Sequence, residues 1–482
     1  MLPLLLSRDG TIDQLARYSH LAVRGRTGYD LTSNPQATNK QLALKMLRTP
    51  SRRSMLVYSI LSILLLISIL SIARIVSNTV KQSGGIDGHA YWYSGHFLRQ
   101  GSDPYGAFRS GEQPNVPVKY LDGRKSEALP IAQQGLSRTP ANTMTMVLFL
   151  SPLSFFSWPT AKAIWIIVNL ALMLIIPLLT IRLLPHTLKW RLVLLICLLF
   201  IAMQGTRVAA WTGQTTLLVF TLMLGALLTL NRVSLFPGLM LGLALSKFTL
   251  AFPVFLFVAY RRRYPVLAIS LLVQLCGLAL VSFIGHRSPI DVLSDYWSVL
   301  LLHTDLHGIH LAPLFNNQPV LSLAILVGGS ALVFLILWRW LPKVSSERTE
   351  GSRLTFAEYH GLVSLFLWSL LAIYHRVYDT VLVIAFIVLL IFGLVYDRYW
   401  DLPEGSKKMV FAFLVIFVAI MLLPGSIMGI VLPDQLLETW LQLVSTVITL
   451  TLLTGLSVSL LLLRRLRVKD PAPLATPDSE LV

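Results

Sequence analysis

The chain has few charged residues and almost no cysteine. Only 13% of its 482 residues are charged and 55% are hydrophobic, and its mean hydropathy is +0.69. A soluble globular chain has about 25% charged residues, so this composition excludes a soluble protein. The two cysteines, Cys197 and Cys276, lie inside apolar runs without ligand spacing. The sequence therefore predicts neither a disulfide framework nor a cysteine metal site.

Motifs for several chemistries are also missing. The chain has no glycine-rich nucleotide loop, no zinc spacing, no GxSxG elbow and no Asp-x-Asp pair. Its histidines at 303, 307 and 310 are spaced like a ligand set, although contacts to a substrate or a lipid head group explain them more simply. We therefore expect no metal site and no required cofactor.

Long hydrophobic runs are present instead. One of them, MLVYSILSILLLISILSIA at 55–73, is long enough to cross about 30 Å of hydrocarbon. The sequence predicts an all-α polytopic membrane protein with about 11 to 13 transmembrane helices. The predicted spans lie near residues 55–76, 161–181, 191–205, 214–230, 235–260, 264–284, 319–341, 355–373, 377–396, 407–424 and 436–463.

Basic residues at the ends of these runs predict the orientation. The net charge is +17, with clusters such as RRR at 261–263, and the positive-inside rule places both termini in the cytoplasm of a plasma (inner) membrane protein. The expected partners of these charges are anionic lipids, with no nucleic acid. The predicted divisions are a cytoplasmic extension (1–53), a transmembrane domain (54–463), its first extracytoplasmic loop (77–142) and a cytoplasmic tail (464–482).

One apolar stretch, 143–157, leaves two topologies open. If it spans the membrane fully, the basic linker at 182–191 lies outside. If it only dips in, that linker returns inside, residues 207–214 lie outside, and the 235–260 run splits into two short helices meeting near Lys247. The positive-inside rule favours the second version.

Asp87 is the best candidate for a catalytic carboxylate. No Asp or Glu occurs between Glu127 and Asp291. Asp87 is the second residue of the segment IDGHAYWYSGHFLRQGSDPYG at 86–106, which lies just after the first hydrophobic run. So aromatic a segment suits an interfacial helix along the membrane surface. Asp87 would then be a general base at head-group depth. The alternative is that Asp87 is only the N-cap of that helix.

Several cations are candidate anion ligands. A lysine such as Lys247 costs roughly 2.5–3.5 kcal/mol at a helix centre, so it needs an anionic ligand, a distant aspartate or a route to the interface. Arg207 begins a polar island that ends with WTGQ at Gln214, and His375 and Arg376 belong to another, YHRVYD. These islands are either hydrated turns with interfacial tyrosines or binding sites for phosphate oxygens.

Several segments, taken in order, resemble family 87 glycosyltransferases. Asp87 with the aromatic helix and LRQGSDPY resembles the family's first outer loop. Downstream, Thr215 and Thr216 stand where the family has Asn, and Pro319 stands where it has Ser. The similarity covers about residues 55–400 and continues in SPLSFFSWPTAKAIWIIVNLAL, GQTTLLVF, GLMLGLALSKFTLAFPVFLFVAYRRRY and NNQP.

This resemblance implies a C-type membrane glycosyltransferase fold and a polyprenyl-phosphate sugar as co-substrate. The enzyme would move a monosaccharide, with mannose as the first candidate, to a glycan or glycolipid acceptor on the outer face, with inversion. Asp87 would be the base. Lys247, His375, Arg376 and Arg207 would bind the donor phosphate. The sugar or acceptor ligands would be Tyr91, Trp92, Tyr105, Gln214, Asn317 and Gln318.

Two other functions fit parts of the sequence. A lipid or sugar-lipid transporter (a flippase) would explain an intramembrane Lys247, but it has no obvious need for the long aromatic outer loop. A polysaccharide ligase or polymerase would share the donor and the topology, with an oligosaccharide as its substrate.

Overall fold

The structure, a computed structural model, describes the chain in nine stretches: residues 52–80, 85–110, 142–304, 309–311, 319–341, 354–373, 375–396, 399–422 and 434–466. The chain divides into two compact units, residues 1–60 and residues 61–482. Of the first unit, only residues 52–60 are described, as the first turns of α1. The other described helices belong to the second unit, residues 61–482.

Helices account for nearly all of the described structure, and β-structure there is limited to two isolated bridges, Ile309 with His375 and Trp400 with Leu466. This confirms the predicted all-α polytopic membrane class. The α-helices are α1 Arg52–Val80, α2 Ile86–Arg99, α3 Pro104–Ser110, α4 Met144–Leu150, α5 Trp158–Arg182, α6 Trp190–Ala202, α7 Gln204–Thr212, α8 Thr216–Leu228, α9 Leu235–Ala244, α10 Phe248–Tyr260, α11 Tyr264–Ile284, α12 Pro289–Thr304, α13 Pro319–Trp340, α14 Phe356–Ala372, α15 Val383–Val395, α16 Glu404–Leu422 and α17 Asp434–Leu463. Three 3₁₀ segments, Ser151–Phe155, Leu245–Lys247 and Val377–Leu382, adjoin α4, α9 and α15.

Several predicted features fall outside the described residues. These are residues 1–51 of the predicted cytoplasmic extension, residues 111–141 of the first extracytoplasmic loop, the stretch 312–318 with Asn317 and Gln318, and the tail from residue 467 onward.

In the described part of the chain, fewer helices are long enough for a full span than the 11 to 13 that the sequence predicts. Among the described residues, seven are long and apolar enough to cross a membrane, or eight if α6 and α7, bent by 57°, form one broken span. Helices such as α8 and α14 coincide with predicted spans but have only 13 and 17 residues. At 1.5 Å per residue they cover about 20–26 Å, less than the hydrocarbon thickness of about 30 Å.

The stretch 143–157 dips into the bundle and does not span it. Helix α4 and the adjoining 3₁₀ segment run from Met144 to Phe155, a rise of about 18–20 Å. The Thr143 hydroxyl contacts the Gln274 side chain of α11 at 2.7 Å. Gly277 of α11 lies so close to Thr145 that an added Cβ would stand 2.2 Å from its hydroxyl. This contact fixes α4 against α11.

The run at 235–260 is broken at Lys247, as the sequence predicts. Helix α9 ends at Ala244, a 3₁₀ turn follows, and Lys247 leaves the helical region with φ −116° and ψ 72°. Helix α10 then continues to Tyr260, so the two helices together still form one apolar run of 26 residues. At this break, in the middle of the apolar run, the backbone of Lys247 departs from regular helical geometry.

The basic linkers meet at one end of the bundle. Three hydrogen bonds join segments far apart in sequence: Leu354 N to Leu183 O, Tyr396 Oη to Thr187 O, and Asp401 N to Arg465 O. An ion pair between Arg261 and Glu358 places the RRR cluster at 261–263 at the same end of the bundle. The linker at 182–191 therefore shares an end with 261–263, as the favoured topology predicts.

The polar segments meet at the other end. Gly85 donates its N–H to Trp211 O at 2.9 Å, and Ile309 donates its N–H to His375 O. The start of α2 is thus a neighbour of residues 207–214, and the 309–311 segment is a neighbour of His375. Deep in the bundle, the Val377–Val395 run is the most enclosed span, 83% buried, as its continuous hydrophobicity predicts.

Candidate functional site

Asp87 lies in the first turn of α2 and is not its N-cap. That position belongs to Gly85, which adopts a left-handed conformation with φ 80° and whose N–H bonds to Trp211 O. The capping alternative for Asp87 is therefore wrong. As the second helical residue, Asp87 is free to direct its carboxylate sideways, although the helix N-terminus still favours a negative charge there.

Two side chains hydrogen-bond to the Asp87 carboxyl group, that of Gln214 in the α7–α8 turn and that of Thr212 at the end of α7. The turn is held in place by Trp165, whose indole N–H donates to Gly213 O at 2.7 Å. Burial raises the pKa of Asp87 above its usual range, opposed by these hydrogen bonds and by the positive charges of Arg376 and Lys247. The residue nevertheless stays partly exposed, so a ligand can reach it.

Lys247 has a distant aspartate as its partner, one of the three possibilities that the sequence leaves open. Its ammonium lies 2.5 Å from Asp379 Oδ1 and 2.6 Å from Thr216 Oγ1, and 4.6 Å from the centre of the Tyr378 ring. Thr216 also donates to Asp379 at 2.9 Å. The buried positive charge is thus balanced within the protein.

Asp379 also orients His375. The second carboxylate oxygen of Asp379 accepts from His375 Nδ1 at 3.1 Å and from the Arg376 backbone N–H at 3.3 Å. His375 is buried, and its Nε2 has no hydrogen-bond partner in the described part of the chain. The histidine is therefore held by one nitrogen, and its other nitrogen is buried beside the cluster. The sequence signal for this pair is the i, i+4 spacing within YHRVYD.

A chain of hydrogen bonds connects two of the predicted tyrosines. Tyr105 donates to Asn142 O at 2.5 Å, Asn142 Nδ2 donates to Thr215 Oγ1 at 2.6 Å, and Thr215 Oγ1 lies 3.4 Å from Tyr91 Oη. Burial, with smaller contributions from Asp87 and other acidic groups, raises the pKa of Tyr91. Nothing near Asn142 or Thr215 in the sequence indicates these partners, so the sequence does not predict them as site residues.

The structure therefore brings most of the predicted residues into one place, here called the Asp87 cluster. Asp87, Gln214, Tyr91, Lys247, His375 and Arg376 are joined by the bonds and charges described above, together with Asp379, Thr212, Thr215 and Thr216.

Trp92 and Arg207 are placed elsewhere. Trp92 is fully buried against His89, His96 and Trp158, and its indole N–H donates to Phe156 O at 3.0 Å. Helical spacing accounts for this, since Tyr91 follows Asp87 by four residues on the same face and Trp92 does not. Arg207 directs one guanidinium nitrogen to Leu422 O at 3.5 Å on α16.

No group of three or more His, Cys, Asp or Glu side chains placed to hold a metal occurs among the described residues. The histidine set at 303, 307 and 310 lies partly outside them. The chemistry that the Asp87 cluster offers is a partly exposed carboxylate beside a buried cation, a histidine held by an aspartate, and an arginine.

Comparison with known proteins adds one match. The model of glycosyltransferase family 87 matches residues 142–424, well over half of the chain. The matched region contains Gln214, Lys247, His375 and Asp379 and begins after Asp87. No curated protein and no solved structure matched significantly.

Proposed function

The chain belongs to glycosyltransferase family 87, and from this premise we propose how the membrane enzyme works. Its donor would be a polyprenyl-phosphate monosaccharide, with mannose as the first candidate. Its acceptor would be a glycan or glycolipid at the extracytoplasmic face. The observation that carries the proposal is the partly exposed Asp87 carboxylate in one cluster with Lys247, His375 and Arg376.

Asp87 would act as the general base. It would take the proton from the acceptor hydroxyl as that oxygen attacks the anomeric carbon. The bond from the anomeric carbon to the phosphate oxygen breaks, and its electron pair leaves with the phosphate. One displacement of this kind inverts the anomeric configuration, whereas a retaining enzyme uses a second carboxylate as a nucleophile.

Positive groups near the departing phosphate would stabilise its developing charge. Arg376 is half-buried and acts electrostatically on Asp87, and His375 presents a ring nitrogen without a hydrogen-bond partner in the described part. Lys247 would share its charge between Asp379 and the donor. Arg207 stays a candidate because its buried Nε has no partner among the described residues.

The proposed sugar contacts divide into two kinds. Gln214 and Tyr91 lie beside Asp87, so they would contact the reacting sugar. Trp92 and Tyr105 have no exposed surface and would act by supporting α2 and α3. Asn317 and Gln318, outside the described residues, keep their proposed role as acceptor ligands.

The basic end of the bundle would face the cytoplasm together with both termini, in contact with anionic lipids. The Asp87 end would face outward in a plasma (inner) membrane, with the C-type glycosyltransferase fold. A base, cations and a phosphate leaving group suffice for this chemistry, so we propose that no metal or other cofactor takes part.

The proposal is tested by sugar transfer with purified protein in nanodiscs. A panel of polyprenyl-phosphate monosaccharides is supplied with mixed membrane acceptors, and wild type is compared with Asp87→Asn. We expect transfer from one donor and a loss of about 10²–10⁴-fold in the variant. Asp291→Asn is the control, because Asp291 is exposed and bonds only locally with Ser288.

Normal transfer by Asp87→Asn would refute the assigned base. Donor binding without transfer by the wild type would instead support a sugar-lipid transporter. Transfer of whole oligosaccharides would support a polysaccharide ligase or polymerase.

A further inference from the structure

A polar cavity of about 600 Å³ lies beside α3 and α12, a size typical of small-molecule binding sites. Its wall carries two arginines and two aspartates, Arg109 and Arg287 with Asp103 and Asp295. Arg109 lies in α3 and Asp103 directly precedes that helix. Arg287 lies in the turn after α11, and Asp295 lies in α12. None of them belongs to the Asp87 cluster, and the transfer step described above does not use them.

The four charged groups form one ion-pair network. Arg287 Nη1 lies 2.6 Å from Asp295 Oδ2 and 3.1 Å from Asp103 Oδ2, and Arg109 Nη1 lies 2.7 Å from Asp295 Oδ1. Burial alone would raise the pKa of Asp295, but hydrogen bonds from Arg109 and Arg287 hold that pKa below its usual range. Two cations and two anions cancel, so the cavity has no net charge to attract a phosphate.

Hydrogen-bonding capacity remains within this neutral cavity. In the described residues, each guanidinium uses only Nη1, although an arginine has five N–H donors. Arg109 is 64% exposed and Arg287 is 34% exposed, so their remaining donors are accessible. A neutral polyhydroxyl ligand can accept from these N–H groups without adding charge, whereas the carboxylates of Asp103 and Asp295 are only 1% and 3% exposed and already accept hydrogen bonds within the protein.

The cavity is connected to the Asp87 cluster through one layer of tyrosines. Tyr105, in α3, stands two residues after Asp103, and Tyr296 follows Asp295 on α12. Their rings pack at 5.5 Å. Tyr105 then begins the hydrogen-bond chain that reaches Thr215 and Tyr91. Because Tyr105 and Tyr296 are buried, this layer separates a ligand in the cavity from the Asp87 cluster.

We propose that this cavity binds the neutral saccharide part of the acceptor, an inference that rests on the proposed glycosyltransferase function. The guanidiniums would hold hydroxyls of a sugar unit on the outer side of the tyrosine layer, and the buried carboxylates would hold the guanidiniums in place. The reacting hydroxyl at Asp87 would belong to another part of the same acceptor. Arg109 and Arg287 are the specificity-determining residues in this assignment.

Gly106 gives a direct way to disturb the cavity. A Cβ at this position would lie 1.8 Å from Arg287 Nη1, so Gly106→Ala must displace that guanidinium. Arg109→Ala removes a mostly exposed side chain and leaves Asp295 paired with Arg287, so the fold is retained. Arg99→Ala is the matched control, because Arg99 is exposed and contacts Ser154 O and the Phe155 ring away from the cavity.

The test is equilibrium binding of tritiated decyl glycosides of mannose, glucose and galactose to protein in nanodiscs, without donor. Decyl phosphate serves as the anionic competitor. We expect one glycoside to bind to the wild type. Its Kd should be about three- to tenfold higher for Arg109→Ala, and the increase for Gly106→Ala should be at least as large. Arg99→Ala should bind it as the wild type does, and decyl phosphate should not compete.

Two results would overturn the assignment: glycoside binding unchanged in both cavity variants, or Arg109-dependent binding of decyl phosphate. A parallel transfer assay with the active polyprenyl-phosphate donor separates this inference from the proposed function. In it, Arg109→Ala should raise the acceptor KM and leave the donor KM unchanged. No transfer by the wild type, with glycoside binding intact, would reject the proposed function alone.

Discussion

Replacing Asp379 by asparagine tests the buried ion pair with Lys247. The charged atoms are 2.5 Å apart and their side chains are 4% and 12% exposed. At an effective dielectric constant of about 20, two unit charges at this distance attract each other by about 7 kcal/mol, and the cost of desolvating them offsets much of that. Asparagine keeps the shape but leaves Lys247 buried without a counter-ion. We expect the free energy of unfolding to fall by about 3–5 kcal/mol, as when one partner of a buried pair is removed.

A double-mutant cycle separates this coupling from general damage. Equilibrium unfolding in mixed dodecyl maltoside–SDS micelles is measured for Asp379→Asn, Lys247→Met and the double variant. Because the double variant contains no uncompensated charge, we expect it to lose about 2–3 kcal/mol less than the sum of the single losses. Glu404→Gln, at an exposed pair with Lys407 3.5 Å away, should change stability little. Additive single losses, within about 0.5 kcal/mol, would refute the reasoning.

Two further predictions concern pH and packing. The base must be ionised, and burial raises the pKa of Asp87. The acid limb of the pH profile of kcat/KM should therefore lie above the usual aspartate pKa of about 3.9, with transfer falling as the pH drops through that limb. A limb at the usual aspartate pKa would contradict the assignment. Gly277→Ala should destabilise the protein by about 1–3 kcal/mol, because its Cβ would lie 2.2 Å from the Thr145 hydroxyl. A Cβ at Gly328 would meet no atom of another described segment within 4 Å, so Gly328→Ala should cost nothing in the same unfolding assay.

Much of the fold follows from hydrophobic runs and their basic ends. The predicted run at 264–284 coincides with α11, and that at 161–181 lies within α5, because about 20 consecutive apolar residues are stable in a bilayer only as a helix. The number of full spans was less predictable. Composition alone does not distinguish a short buried helix such as α8 from a complete crossing.

Parts of the candidate site could also be predicted. Asp87, Lys247 and His375 stand out because charged groups next to, or inside, apolar segments are costly without a function or a partner. The placement of Trp92 was predictable as well, from its position off the helical face that Asp87 and Tyr91 share.

The sequence by itself determined the class of this protein, the position of most helices, the grouping of basic segments and the candidate base, since all of these depend on local composition and periodicity. Only the tertiary structure decided that Lys247 pairs with Asp379, 132 residues away, and that Arg287 bonds to Asp103 across 184 residues. Such pairs depend on which helices pack together and on small residues such as Gly106 that permit close approach. No local pattern in the chain specifies either of them.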